Sequence, residues 1–125
     1  MRLLLDSHVI LWFAATPRRL RPEVLSAIAD PENDVLISSA SIWELNLKAS
    51  KGKLSLPKKF CSSLRSQGFL PLPVSWEHAE AASSLPKIHL DPFDRLIVAQ
   101  AGLENLVVVT GDANVLKYPV SLLEA

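Results

Sequence analysis

Short runs of consecutive apolar residues alternate along this chain with longer stretches whose apolar positions recur at helical spacing. Three of the short runs, Arg2–Asp6, Val35–Ser38 and Leu106–Thr110, predict buried strands, and the last two are rich in β-branched residues. Between them the pattern predicts helices over Leu11–Ala15, Val24–Ala29, Ser41–Ala49, Pro57–Gln67, Ser75–Leu85 and Pro92–Asn105. Pro22 suits the first turn of the second of these, Gly52 and Gly68 follow the third and fourth, and Asp91-Pro92 is an N-cap followed by proline at N1. Phe69–Val74 alternates Leu70, Leu72 and Val74 with Pro71 and Pro73, which predicts a strand at a sheet edge, where a missing donor is tolerated. Strands alternating with helices at these lengths predict one α/β domain over residues 1–125 with a mainly parallel sheet.

That architecture directs attention to the carboxyl ends of the strands, where open parallel sheets hold their sites. Asp6 ends the first strand, Glu44 lies in the helix after the second, and Asp112 follows the fourth. Asp94 joins them if its helix begins beside the same edge. Each has a structural reading as well. Ser41-Ile42-Trp43-Glu44 has capping-box spacing, Asp91 and Asp94 fall where a helix dipole favours anions, and Asp112 or Thr110 suits the cap of a short helix at 113–116. Asp6 fits that reading least, since a carboxylate closing Leu3-Leu4-Leu5 has to meet solvent, a cation or a donor. Taken as a set, four converging carboxylates form a hard-cation site, because two unit charges 4 Å apart repel by roughly 1 kcal/mol in water and roughly 4 kcal/mol at an effective dielectric near 20. Oxygen ligands alone point to Mg²⁺ or Mn²⁺.

Other chemistries find less support. His8, His78 and His89 share no metal-ligand spacing and are expected at the surface or just outside the site. No glycine pattern cradles phosphate, no GxSxG elbow is present, and the second aspartate of an aspartyl-phosphate enzyme is replaced by His8. Trp12, Trp43 and Trp76 are expected as core and interface fillers. Apolar residues make up 49% of the chain, enough for a real core, and the single cysteine, Cys61, forms no intrachain disulfide and is expected as a partly buried filler. Asp6 and His8 interrupt the only stretch resembling a signal peptide and no run is long enough to span a membrane, so a cytoplasmic protein is expected. Net charge is zero, but Leu45 to Arg65 carries six cations and no acid, and Arg18, Arg19 and Arg21 form a second cluster. Such stretches suit a phosphate backbone or simply a solvated face.

Four segments together carry a family resemblance: Leu3-Leu4-Leu5-Asp6-Ser7-His8-Val9-Ile10-Leu11-Trp12; Ser38 to Lys48 with Ile42-Trp43-Glu44-Leu45; His89 through Ala101 with Asp91-Pro92-Phe93-Asp94-Arg95; and Thr110-Gly111-Asp112. Over nearly its whole length the chain resembles a PIN-domain ribonuclease of the VapC toxin type. The resemblance implies an α/β/α sandwich with an acidic pocket of Asp6, Glu44, Asp94 and Asp112 holding one or two Mg²⁺ or Mn²⁺ ions. Asp91, Thr110 and Ser7 are then supporting residues, Ser7 standing where threonine is more usual. It further implies endonucleolytic cleavage of RNA, a homodimer, and a cognate VapB-type antitoxin whose C-terminal segment places a basic side chain in the pocket. Lys48, Lys51 and Lys53 become candidate contacts to the RNA backbone. Two alternatives stay open: a non-catalytic PIN-like module that binds metal and partner, and a DNA or flap-type nuclease using the same carboxylates.

Overall fold

A computed structural model describes residues 1–125. Five strands, β1 (Arg2–Leu5), β2 (Asp34–Ser38), β3 (Leu70–Leu72), β4 (Val107–Thr110) and β5 (Leu122–Glu124), form one sheet in the order β3-β2-β1-β4-β5. Every pairing is parallel. Six α-helices surround it: α1 (Ser7–Ala15), α2 (Pro22–Ala29), α3 (Ser39–Ser50), α4 (Phe60–Ser66), α5 (Trp76–Ser83) and α6 (Pro92–Glu104). Short 3₁₀ turns at Pro17–Arg19 and Val115–Lys117 complete the path.

The period of two along a strand sorts the apolar runs into two cores. Leu3, Leu5, Val35, Ile37 and Val109 face a core shared with Val9, Ile10, Val24, Leu45 and Leu64 of α1 to α4. Leu4, Leu36, Leu72 and Val108 face the opposite way, onto Ile97, Val98 and Ala101 of α6. The runs read as continuously hydrophobic because both faces of the sheet are covered, which makes the molecule the expected α/β/α sandwich.

Most predicted elements appear, and the differences have physical causes. Pro71 pairs with Ile37 at the sheet edge, as expected for β3. α1 begins four residues before the predicted start, because the Asp6 side chain accepts from the Val9 amide and nucleates the turn. α3 begins at Ser39, with Ser38 accepting from the Ala40 amide. The Ser41–Glu44 capping box is therefore absent, and the Ser41 hydroxyl is buried without a partner. β5 was not foreseen: three residues at the end of an irregular segment, they pair Leu122, Leu123 and Glu124 with Val108, Val109 and Thr110. Cys61 is exposed, as are Trp43 and Trp76, so none of the three fills the core. No helix is long and apolar enough to cross a membrane.

Candidate active site

The chain lays down β1, β2 and β3 in one direction across the sheet, then returns to place β4 and β5 on the other side of β1. The order reverses between β1 and β4, the place where open parallel sheets form their crevice. Asp6 follows β1 directly and is 2% exposed. One oxygen accepts from the Val9 amide at 3.0 Å, and the other accepts from the Thr110 hydroxyl at the end of β4. Thr110 Oγ1 in turn accepts from the Asp112 amide at 3.0 Å. The Thr110 side chain thus ties the two strand ends together and turns the chain so that Asp112 arrives at the same edge.

Asp94 comes from the far side of the crevice. Asp91 caps α6 by accepting from the amides of Phe93 and Asp94, both at 3.0 Å, and Pro92 occupies the first turn. Asp94 then projects from that turn, with Oδ2 3.2 Å from His89 Nε2. Burial lifts its carboxyl from 3.8 to about 6, partly opposed by the bond to His89 and reinforced by the charges of Asp91, Asp112 and Asp6. Burial also raises the Asp6 carboxyl, against hydrogen bonds from Thr110 and Val9 and the charge of His8, with Asp112 adding repulsion. The charge of Asp112 thus bears on both Asp6 and Asp94, and that of Asp6 on Asp94.

Glu44 stands somewhat apart. Its side chain is buried within α3, where Oε1 accepts from the Ser7 hydroxyl at 2.5 Å and Oε2 lies 3.1 Å from Lys48 Nζ. Ser7 follows Asp6, so this bond links α3 to the start of α1 and joins Glu44 to the aspartates through adjacent residues. Lys48 is engaged here as an ion-pair partner, whereas Lys51 and Lys53 are exposed at the carboxyl end of α3. Asp112 also serves as a cap, its Oδ1 accepting from the amides of Asn114 at 2.8 Å and Val115 at 3.3 Å.

Capping thus accounts for part of what Asp6, Asp91 and Asp112 do, including Asp6, for which it was the reading least expected. It does not account for burying Asp6 and Asp94 among other carboxylates. In this arrangement no three His, Cys, Asp or Glu side chains stand close enough together to share an ion. Of the histidines, His8 is exposed, His89 holds Asp94, and His78 is buried away from the edge, where it closes a capping box with Ser75. Tyr118 is the contributor that sequence reasoning missed, while His89, expected at the surface or just outside the site, bonds Asp94 from five residues before it, just ahead of the α6 cap.

Comparison with known proteins agrees with this fold. The model of the PIN domain matches residues 3–120. Ribonuclease VapC22 of Mycobacterium tuberculosis is 31% identical over 116 residues, covering 87% of this chain and 85% of that protein. Among solved structures, VapBC2 from Rickettsia felis bound to a DNA fragment from its promoter superimposes with a TM-score of 0.71 at 20% identity, over 99% of this chain and 98% of that one. VapBC-1 from nontypeable Haemophilus influenzae gives 0.67 at 17% identity, over 99% and 98%. The structural likenesses show a shared fold, while the family match and the VapC22 relationship extend along the sequence itself. With its acidic edge at the β1/β4 switch point, the chain belongs to the PIN domain family.

Proposed function

We propose that this protein is an endoribonuclease of the VapC type, the toxin of a toxin–antitoxin pair, which hydrolyses RNA phosphodiester bonds at the edge formed by Asp6, Asp94, Asp112 and Glu44. The observation that carries the reading is the burial of Asp6 and Asp94, joined by Asp112 through Thr110, where the strand order reverses. Its relationship to a ribonuclease, VapC22, supplies the substrate class.

The donor chemistry suits a divalent cation, and gathering three of the acids around one would require their side chains to turn from the internal partners they hold here. The set is composed of carboxylate oxygens whose mutual repulsion disfavours the fully ionised, cation-free state, and it suits Mg²⁺ or Mn²⁺. Asp6, Asp94, Asp112 and Glu44 are the residues that would hold it, the last after release from Lys48. When bound, such an ion supplies positive charge that lowers the pKa of an attacking water and offsets charge building on the phosphate. The protein's own groups set the geometry. Thr110 and the Val9 amide fix both oxygens of Asp6, and Ser7 fixes Glu44. His89 engages Oδ2 of Asp94, and Oδ1, which has no side-chain partner, is the oxygen proposed to accept a proton from water.

The same acidity explains how an antitoxin would act: a guanidinium placed among the carboxylates pairs bidentately with them and takes a cation's place. Lys51 and Lys53, exposed beyond α3, are proposed to contact the RNA backbone, and the protein is proposed to work as a homodimer in the cytoplasm. One observation favours the non-catalytic module instead, namely that each of the four acids has an internal partner and no three gather at ligand distance. Cleavage of RNA by the purified protein, with divalent metal or with chelator, separates the two. Metal-dependent fragments support the nuclease, and their absence with folded, antitoxin-free protein supports the module.

A further inference from the structure

Outside the four acids, one polar network is built around the site. His89 is largely buried, its side chain 14% exposed, and both ring nitrogens are engaged: Nε2 lies 3.2 Å from Asp94 Oδ2 and Nδ1 lies 2.8 Å from the Tyr118 hydroxyl. Tyr118 is 2% exposed, and its hydroxyl accepts from Arg95 Nη1 at 3.2 Å. Arg95 follows Asp94 in α6 and also donates to the carbonyls of Ala82, Leu85, Pro86 and His89, which fastens the segment between α5 and α6 against the start of α6.

We propose that His89 is a positioning residue for Asp94, held by Tyr118 and Arg95 so that one carboxylate oxygen is fixed and the other is left free for a cation. The inference rests on the site proposed above. Because Arg95 can only donate, the Tyr118 hydroxyl accepts from it and uses its own hydrogen on His89 Nδ1. Nε2–H is then left to donate to Asp94, a tautomer assigned from this order of donors. The need for such a partner follows from electrostatics. A carboxylate turns freely about its terminal torsion, and one facing Asp6 and Asp112 is driven by repulsion to swing outward. A buried ring pinned at its far nitrogen resists that swing as a solvated partner would not. Partners of ligand carboxylates work in this way, and their removal weakens metal affinity by about 10–100-fold. The competing account is that the network only fastens the α5–α6 connection, a task Arg95 performs through the carbonyls without His89.

The test measures Mn²⁺ binding by electron paramagnetic resonance on the full chain, with melting temperature recorded for each variant. Wild type, Asp94→Asn, His89→Ala, His89→Gln and Tyr118→Phe are compared. His89→Ala is expected to weaken Mn²⁺ binding by about 10–100-fold. His89→Gln, whose amide places a donor near Nε2, is expected to recover most of that loss, and Tyr118→Phe to show a smaller loss that disappears in the His89→Ala background. Wild-type affinity in folded His89→Ala, with binding lost in Asp94→Asn, overturns the positioning role while leaving the site intact. If His89→Ala does not fold, wild-type affinity in Tyr118→Phe or no recovery in His89→Gln overturns it. Equal Mn²⁺ binding by wild type and Asp94→Asn overturns the proposed site and this inference with it.

Discussion

Asp6 and Thr110 lie at opposite ends of the sequence yet share a buried hydrogen bond, and their contact brings the first and last acids to one edge. Replacing Asp6 or Asp94 by asparagine keeps the shape and removes a charge. Either change is predicted to lower metal-dependent RNA cleavage by more than ~100-fold while the far-ultraviolet circular dichroism is unchanged. Activity near wild type in either variant would refute the residue assignment. The raised Asp94 carboxyl also makes a claim about stability. Folding lifts it from 3.8 to about 6, so the folded state binds its proton more tightly than the unfolded chain. The corresponding stabilisation is complete below pH 3.8 and is lost as the pH rises through about 6. Asp94→Asn cannot ionise and escapes that loss. Without metal, its melting temperature is predicted to exceed wild type above about pH 7 and to lose that advantage below about pH 4; an offset independent of pH would contradict the assigned burial.

Among the elements, helix caps decide where the acids point. Asp91 satisfies two free amides at the start of α6, and Asp94 sits in the turn those bonds define. Asp91→Ala is predicted to cost about 1 kcal/mol in urea unfolding and to reduce cleavage, since the first turn frays beside Asp94. Unaltered cleavage at the reduced stability would show that Asp94 does not depend on the cap. These caps also show how far the sequence could be read. Asp91-Pro92 announced α6 because both residues act locally, and Pro71 announced an edge strand because proline lacks a donor. The start of α3 was misplaced because serines at 38, 39 and 41 all suit a cap, and only packing selects Ser38. β5 was invisible because three residues carry no periodicity and its pairing is set by β4. The placement of Asp6 and Asp112 after strands and of Glu44 and Asp94 within helices was legible from the pattern of elements. The partner that holds His89 was not, since Tyr118 lies 29 residues away and meets it through a turn held by Arg95.

On the scale of the whole molecule, zero net charge conceals a division of labour: acids gather at the carboxyl edge of the sheet, while Lys51 and Lys53 extend beyond α3. If those lysines track a backbone, the Lys51→Ala, Lys53→Ala double variant should bind RNA more weakly at low salt. Its dependence of log affinity on log salt should be shallower by about 1.4, at roughly 0.7 per lost contact with single strands. A slope equal to wild type would place the RNA elsewhere. The strand order reverses between β1 and β4, and phosphate chemistry is proposed at the acids that follow those strands. The most direct test of that claim is incubation of total bacterial RNA with purified, antitoxin-free protein, with Mg²⁺ or excess chelator, beside Asp94→Asn. The account predicts discrete fragments that require both the metal and Asp94. Intact RNA in every lane, or the same fragments from Asp94→Asn, would contradict it.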